Sequence, residues 1–363
     1  MIARRDALVF AAATALTGTA AAQAPAPTST LEQIAQYEMQ GTGVACSRDG
    51  RIFICFPRWE QDVPISVAEL KNGQLTPYPT QEWNAWRNAQ PLSPKNHFIC
   101  VQSVTVDPQG FLWILDPAAP GLEFIIPDGP KLLKVDLKSN QIVQAIHFGT
   151  DAAPQGSYLN DVRVSPDGRW AYLTDSGATG ALVVVDLRAG KVLRLLAGDP
   201  STQVQPGVKV VVNGQELRRP DGRGPEFAAD SIALTTDGKT LYWQALTGHT
   251  LYSADAASLQ AGQPDVRTVG PTVVADGYWI ARDGRFYTTS PEDNSVKLRR
   301  PDRSLQIVVQ DERLLWPDSM AEMPDGSLLV TASDIQDMAI WHAKGSTRTQ
   351  PYRLFRFKPP PRS

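Results

Sequence analysis

The chain has 363 residues, of which 42% are hydrophobic and 20% are charged, ordinary values for a globular protein that buries a large core. The formal net charge is -3 and no long run of Lys or Arg occurs, which argues against a nucleic acid partner. The length would suit two or three ordinary domains, but propellers and barrels of this size form single units, so the sequence pattern has to decide.

The first residues have the features of an export signal. Arg4 and Arg5 precede an uncharged, Ala- and Thr-rich run at residues 7–22. We therefore predict a signal peptide at residues 1–22, of the bacterial twin-arginine type, and a Pro-rich linker at 23–30. A plain secretory signal is the alternative. The run is short for a membrane-spanning helix, so we expect no membrane span in the mature chain and place it in the periplasm or outside the cell.

Three cysteines occur in the chain, Cys46, Cys55 and Cys100. Because an exported chain matures in an oxidising compartment, we expect two of them to form a disulfide and one thiol to be left over. The sequence does not indicate which two would pair.

From residue 42 onward one pattern recurs six times: a strand-like run, an Asp-Gly type turn and a second strand-like run. The segment "NDVRVSPDGRWAYLTDS" at 160–176 is an example. Glycine adopts positive φ at such a turn without a Cβ clash, so each copy predicts a tight β-hairpin. The turn glycines are Gly50, Gly110, Gly168, Gly238, Gly284 and Gly326.

Two further strand-like runs follow most hairpins, as at 180–197, which makes units of about four strands. Such a unit cannot bury both faces of its sheet alone, so its recurrence indicates stacked neighbours. We predict an all-β fold, a six-bladed β-propeller with four-stranded antiparallel blades around an axial channel, formed by residues 31–363 as a single domain. The runs at 31–40 and 352–360 are expected to share one blade, because an open ring would leave unpaired strand edges.

The first strand of each propeller blade lines the channel, so residues at one offset before the turn glycine meet at one rim. Eight residues before the glycine, all six copies carry an oxygen-bearing side chain: Thr42, Gln102, Asn160, Asp230, Asp276 and Asp318. The next positions are Gly43, Ser103, Asp161, Ser231, Gly277 and Ser319. Such a ring suits a hard cation such as Ca²⁺ or a polar small ligand. The alternative is that these side chains cap turns by bonding to their own backbone.

Several runs resemble the yellow / major royal jelly protein family, in order, from about residue 40 to 340. They include Pro-Arg-Trp at 57–59, Glu-Trp-Asn at 82–84 and the run at 230–259. The resemblance implies a six-bladed propeller in a secreted protein. Some members of that family bind biogenic amines in the axial cavity, and insect members are linked to the conversion of melanin precursors.

More distantly, the chain resembles gluconolactonase-type propellers, whose axial divalent ion is held by a first-blade Glu and by Asn or Asp residues of later blades. The resemblance implies Asn160, Asp230 and Asp276 as metal ligands, with Asp230 and Asp276 as catalytic residues. The first-blade position is Thr42, which departs from the pattern, and Asp318 is the candidate to supply the missing charge. If Asp318 of the last blade replaces a Glu of the first blade, the attack on a lactone would require a different geometry.

Other chemistry-bearing residues give weaker indications. The chain contains no G-x-S-x-G, H-E-x-x-H, P-loop or C-x-x-C motif. His97, just before Gln102, is a candidate acid or base, whereas His249 is expected in a turn between strands. Three tryptophans either pack between blades one and two or stack on a ligand: Trp59, Trp83 and Trp86.

The interval 198–229 is the longest departure from the blade pattern, and it contains a hairpin of its own that turns at Asn213-Gly214. It directly precedes Asp230, so we interpret it as a lid over one mouth of the channel. A solvent-side elaboration or an oligomer contact is the alternative.

The first functional hypothesis is an exported propeller that binds a small polar, amine-bearing or aromatic ligand in its axial pocket. The ligand-binding residues would be Gln102, Asn160, Asp161, Asp230, Asp276 and Asp318. The alternative is a lactonase-type hydrolase that depends on Ca²⁺ or another divalent cation, held by Asn160, Asp230, Asp276 and Asp318. A protein-binding scaffold is the third. The missing first-blade Glu favours the binding hypothesis.

Overall fold

The computed structural model describes residues 27–361, so the predicted signal peptide and the first part of the predicted linker lie outside the described residues. Six four-stranded antiparallel sheets form the blades of a propeller, and the innermost strand of each blade contacts the innermost strands of its two neighbours. The predicted six-bladed all-β fold is therefore confirmed. Within residues 27–361 no helix has the length and apolar character needed to cross a membrane.

The N-terminal strand β1 is Leu31–Tyr37, and the first three blades follow it in chain order. Blade one consists of β2 (Val44–Cys46), β3 (Ile52–Cys55), β4 (Val67–Lys71) and β5 (Gln74–Pro77). Blade two consists of β6 (Ser103–Val106), β7 (Phe111–Asp116), β8 (Lys131–Asp136) and β9 (Gln141–His147). Blade three consists of β10 (Leu159–Val164), β11 (Trp170–Asp175), β12 (Ala181–Asp186) and β13 (Lys191–Leu195).

A short hairpin, β14 (Val211–Val212) and β15 (Gln215–Glu216), separates blades three and four. Blade four consists of β16 (Ala229–Leu234), β17 (Thr240–Ala245), β18 (Thr250–Asp255) and β19 (Arg267–Pro271), with the helix α1 (Ala256–Gln260) between the last two strands. Blade five consists of β20 (Tyr278–Ile280), β21 (Phe286–Ser290), β22 (Ser295–Arg299) and β23 (Leu305–Gln310). Blade six contains β24 (Pro317–Glu322), β25 (Leu328–Ala332) and β26 (Tyr352–Phe357). Short 3-10 helices occur at Pro120–Leu122, Pro291–Asp293, Ile335–Asp337 and Ala339–Trp341.

The predicted hairpins form where the turn glycines indicate. All six turn glycines have positive φ, for example 86° at Gly50. The hairpin of the insertion turns at Asn213 and Gly214, with φ of 50° and 78°, which is the conformation that a two-residue type I′ turn requires.

The two ends of the chain close the ring. β1 pairs antiparallel with β26, with Leu31 opposite Phe357 and Tyr37 opposite Tyr352, and so forms the fourth strand of blade six. β1 and β26 thereby pair across the two ends of the chain, as the sequence predicted.

Apolar clusters fill the spaces between successive blades. Val183 and Val185 on β12 face blade two, whereas Leu182 and Val184 face blade four. Side chains that alternate along one strand thus form two interfaces. Each fully buried Val or Leu side chain stabilises the fold by about 1.5–3 kcal/mol relative to an exposed one. Stacking of these faces joins neighbouring blades around the ring.

The expected disulfide is wrong, because all three cysteines are free thiols. Cys46 and Cys55 lie on opposite faces of the blade-one sheet, one packed towards blade six and the other towards blade two. Cys100 is buried in the segment that enters blade two, with Sγ 4.0 Å from the Tyr158 hydroxyl. The alternation of side chains across the sheet therefore keeps the two thiols of blade one apart.

Candidate functional site

A cavity of about 770 Å³ opens at one mouth of the axial channel. Its floor lies where the inner strands of the blades begin, and its walls are loops that enter the inner strands or connect the second and third strands. The wall segments are 59–60, 119–123, 156–158, 176–178, 226–227 and 335–341. This volume is within the range typical of small-molecule sites.

Most of the predicted ligand-binding residues converge on this floor: Gln102, Asn160, Asp230, Asp276 and Asp318. Asp161 does not line the cavity; its carboxylate accepts a hydrogen bond from Ser103 Oγ at 2.8 Å and faces Arg163 at 3.3 Å. Thr42, at the same offset in blade one, is buried and donates to the backbone carbonyl of Gln102 at 3.0 Å. Five blades thus contribute polar side chains to one place, and their role in binding stays a prediction.

Irregularities in the inner strands place the site residues. In blades three, four and six, the pairing between the innermost strand and the second strand is irregular. The register shifts lie between Leu159 and Val162 in β10, between Ala229 and Ile232 in β16, and between Pro317 and Met320 in β24. A β-bulge re-aims the side chains that it contains. The shifts enclose the pairs Asn160–Asp161, Asp230–Ser231 and Asp318–Ser319, and the first residue of each pair lines the cavity.

Threonines near the ends of the second strands hold this geometry, and the sequence analysis did not single them out. Thr174 Oγ1 accepts a hydrogen bond from the backbone N–H of Asp161 at 3.2 Å and donates to the backbone carbonyl of Asp230 in the next blade at 2.6 Å. Thr289 and Thr331 accept from the corresponding N–H groups of blades five and six at 2.8 and 3.0 Å. The repeated Thr in "YLTD", "YTTS" and "LVTA" is the signal that would have found them.

Three carboxyl groups are buried on the floor without a cationic partner. Asp230, Asp276 and Asp318 are 5%, 7% and 4% exposed, and no Lys or Arg within residues 27–361 forms an ion pair with them. Burial raises the pKa of all three carboxyls, and repulsion from the charge of Asp276 raises the pKa of the other two further. The floor therefore favours the neutral form of these carboxyls.

The protonation of each floor carboxyl depends on its neighbours. Burial raises the pKa of Asp276 to about 7, and Trp316 Nε1 opposes that rise by donating to its carboxylate. Interaction with the Asp276 carboxyl raises the pKa of Asp230, whereas interaction with the Asp230 carboxyl lowers that of Asp276. Asp318 is held separately, by Ser333 Oγ at 2.8 Å and Ser319 Oγ at 3.2 Å.

Aromatic side chains form part of the cavity wall. Trp59 Nε1 donates to the Tyr158 hydroxyl at 2.6 Å, and that hydroxyl donates to Gln102 Oε1 at 2.9 Å. On another side, Phe227 and Trp341 pack edge to face with ring centroids 6.2 Å apart. Apolar rings therefore lie between the carboxyl floor and the entrance.

The three tryptophans of blade one's loops have different roles. Trp59 lines the cavity. Trp86 is buried, with the Arg58 guanidinium 5.2 Å from its ring centroid, and Trp83 packs against Phe98 at 5.3 Å. The packing interpretation therefore holds for Trp83 and Trp86, and the ligand-facing position belongs to Trp59.

The two candidate histidines lie away from the cavity. His97 is half-buried, with Nδ1 2.8 Å from the backbone carbonyl of Ser93, and it is not among the residues that line the cavity. His249 is exposed in the turn between β17 and β18, as expected. The structure therefore gives His97 no part in an axial site.

The insertion at 198–229 packs beside the cavity and contributes to its wall. Its hairpin buries Val210 and Val212 in a cluster with Trp316 and Met338, and its later part contributes wall residues. The entrance carries three exposed acidic residues and one arginine: Glu60, Glu123, Glu226 and Arg219. Because Glu226 pairs with Arg223 at 3.6 Å, the remaining excess of negative charge at the entrance is small; its sign favours cationic ligands.

The donor set does not fit a metal ion as it stands. Within residues 27–361 no group of three or more His, Cys, Asp and Glu side chains is arranged to hold one. Asp276 already accepts a hydrogen bond from Trp316, and Thr42, in place of a first-blade Glu, points its hydroxyl at a backbone carbonyl. The predicted metal ligands Asn160, Asp230, Asp276 and Asp318 share a cavity, but they do not form a cation cage.

Comparison with solved structures shows the same fold in proteins of low sequence identity. A putative gluconolactonase is 13% identical with a TM-score of 0.58, covering 93% of each chain. A gluconolactonase from Xanthomonas campestris is 13% identical with a TM-score of 0.54, covering 92% of this chain and 90% of its own. The calcium-binding protein regucalcin from Agrobacterium tumefaciens is 15% identical with a TM-score of 0.51, covering 89% of this chain and 92% of its own.

No curated protein matches the sequence. The model of the family described as "Major royal jelly protein" matches residues 99–347, a span that begins before blade two and includes the insertion and blades three to five. The chain therefore belongs to the major royal jelly protein family.

Proposed function

We propose that the axial cavity binds a small aromatic amine. The observation that carries this proposal is the floor of three buried carboxyls, Asp230, Asp276 and Asp318, for which residues 27–361 provide no cationic partner. A buried carboxylate is stable only when it is paired or protonated. A bound cation would therefore stabilise the ionised form of the floor carboxyls.

The shape of the cavity supports an ammonium group attached to a ring. The carboxyls lie at the bottom, and Trp59, Tyr158, Phe227 and Trp341 stand along the wall. An ammonium ion at the floor would favour the ionised carboxylates and form charge-assisted hydrogen bonds with them, while its ring would pack on the aromatic wall. The acidic entrance would attract such a ligand from solution.

The proposal is tested by calorimetric titration with tyramine, using 4-ethylphenol as the matched ligand without the amine. We expect saturable binding of tyramine and a much weaker response to 4-ethylphenol. Asp230→Asn and Asp318→Asn should each weaken tyramine binding about tenfold or more, since a hydrogen bond to a charged group contributes about 1.5–3 kcal/mol.

Asp302→Asn is the matched control, because Asp302 is exposed on blade five and does not line the axial cavity. Its affinity for tyramine should equal that of the unaltered protein. A flat titration, equal binding of tyramine and 4-ethylphenol, or an equal loss in the control would reject the proposal.

A divalent cation is the second candidate occupant of the floor, supported by the chemistry of its oxygen donors. We give it the lower rank because Asp276 already accepts a hydrogen bond from Trp316, and Asp318 accepts hydrogen bonds from Ser333 and Ser319. In the same titration, Ca²⁺ that bound tightly and excluded tyramine would reverse this order. Turnover of lactones that depended on the ion would then favour a hydrolase.

A further inference from the structure

A second cavity, of about 300 Å³, lies at the opposite mouth of the channel. Its lining residues come from the final parts of the inner strands of all six blades and from the hairpin turns that follow, whereas the carboxyl floor lies where those strands begin. Three arginines line it, Arg48, Arg163 and Arg282, and we call it the arginine cavity.

The acidic residues in the arginine cavity are already fully engaged. Asp107 accepts hydrogen bonds from two backbone N–H groups of its own turn and from Trp113 Nε1 at 2.8 Å. Glu322 accepts from the backbone N–H of Arg282 at 2.7 Å and from its Nε at 3.1 Å. These carboxylates therefore neutralise part of the positive charge but offer little to a ligand.

The arginines, in contrast, keep unused donors. Arg48 is exposed, and within residues 27–361 its side chain donates only to the backbone carbonyl of Pro108, through Nη2. Among the same residues Nη1 of Arg282 has no acceptor, since Nε and Nη2 make its bonds. Arg163 uses Nη1 and Nη2 for Val162, Asp161 and Tyr278, and its Nε has no acceptor in that range. Guanidinium N–H groups of this kind match the oxygens of a carboxylate or phosphate.

Apolar side chains complete the arginine cavity. The Trp279 ring centroid lies 5.9 Å from the Arg163 guanidinium, and Leu234 and Ile280 line the same space. Trp279 Nε1 is buried and has no hydrogen-bond partner within residues 27–361. A ligand with a flat apolar body and one anionic group would satisfy both the arginine donors and this surface.

We propose that the arginine cavity is a second binding site, specific for a small aromatic carboxylate. This proposal is independent of the amine site, because the two cavities share no lining residue. Asp161 lies between them, bonded to Ser103 on one side and to Arg163 on the other.

The test is calorimetric titration with benzoate, with benzamide as the matched neutral ligand and inorganic phosphate as the competing anion. We expect saturable binding of benzoate that weakens with added salt, and little binding of benzamide. Arg48→Gln and Arg282→Gln should each lower benzoate affinity about tenfold, as expected when a charge-assisted hydrogen bond is lost. Arg48 is exposed, so its variant keeps the test informative even if Arg282→Gln is poorly folded.

Arg188→Gln is the control, since Arg188 is exposed on the outer side of blade three and should leave benzoate binding unchanged. Tyramine binding should be the same in Arg48→Gln as in the unaltered protein, which separates this result from that of the amine site. No saturation, equal affinity for benzamide, or unchanged binding in both arginine variants would overturn the proposal. Tighter phosphate binding that displaces benzoate would overturn the assignment to a carboxylate.

Discussion

Asp276 combines the features that define the floor of the axial cavity. It is 7% exposed, burial raises its pKa, and it receives a hydrogen bond from Trp316 Nε1. Its neighbour Gly277 shows how tightly the inner strands approach, since a Cβ at that position would lie 2.0 Å from the backbone oxygen of Asp318. Close contact between neighbouring inner strands therefore helps to fix the position of Asp276.

Replacement of Asp276 by Asn should change how stability depends on pH. Burial raises the pKa of the Asp276 carboxyl from 3.8 in the unfolded chain to about 7 in the folded protein. The folded protein binds this proton more tightly, so it loses stability as pH rises from about 4 to about 7 and no further above that. Asn cannot ionise, so Asp276→Asn should raise the melting temperature at pH 8 by about 2 °C or more and change it little at pH 4.

Thermal unfolding followed by circular dichroism between pH 4 and pH 8 measures this difference. Asp302→Asn, at an exposed position, should show no such gain at pH 8. If Asp276→Asn has the same melting temperature as the unaltered protein at pH 8, the carboxyl is not destabilised by burial.

At the scale of elements, the wall loops are secured where they leave the second strands. Asp116 ends β7 and lies opposite Lys131, the first residue of β8, with their charged groups 2.9 Å apart and both side chains fully buried. Asp116 also accepts hydrogen bonds from the backbone N–H groups of Ile99, Cys100 and Ala118. The ion pair thus holds the two ends of the long loop of blade two together. The hydrogen bonds of Asp116 attach that loop to the segment that enters β6.

Loss of the charge on Lys131 should destabilise the protein strongly. Lys131→Met keeps the length of the side chain but leaves the buried Asp116 carboxylate without its cation, and breaking a buried ion pair in this way costs about 3–5 kcal/mol. The free energy of unfolding in urea is the measurement.

Lys239→Met is the comparison, because Lys239 pairs with Asp237 at 3.7 Å with its own side chain 81% exposed. Such a pair contributes about 0–1 kcal/mol. Equal losses in the two variants would show that the buried pair does not hold the loop of blade two.

At the scale of the whole molecule, stability depends on a closed ring. β1 supplies the outermost strand of blade six, and Tyr37 packs edge to face on Phe56 of blade one at 5.3 Å. The N-terminal strand therefore links the last blade to the first, and the same apolar cluster contains residues of both blades.

Deletion of residues 27–37 should open this link. It would expose the edge of β26 and part of the apolar surface between blades six and one, so we expect a lower melting temperature and aggregation on warming. Differential scanning calorimetry and light scattering measure the two effects.

Glu32→Ala and Gln36→Ala, at exposed positions of β1, keep the strand and serve as controls. They should unfold like the unaltered protein. A deletion variant that melts at the same temperature without aggregation would contradict the closure argument.

The sequence by itself determined the six hairpins and their order, because turn chemistry and side-chain alternation are local properties of each segment. It also placed Gln102, Asn160, Asp230, Asp276 and Asp318 at one rim, since one offset from a turn corresponds to one height in every blade. What only the tertiary structure decided is which way side chains point and what surrounds them. Asp161 is turned towards Ser103 and Arg163, Cys46 and Cys55 lie on opposite faces of a sheet, and the floor carboxyls have raised pKa values. The physical reason is that a shift of one residue in strand register reverses the direction of a side chain, and such shifts are fixed by contacts between segments that are distant in sequence.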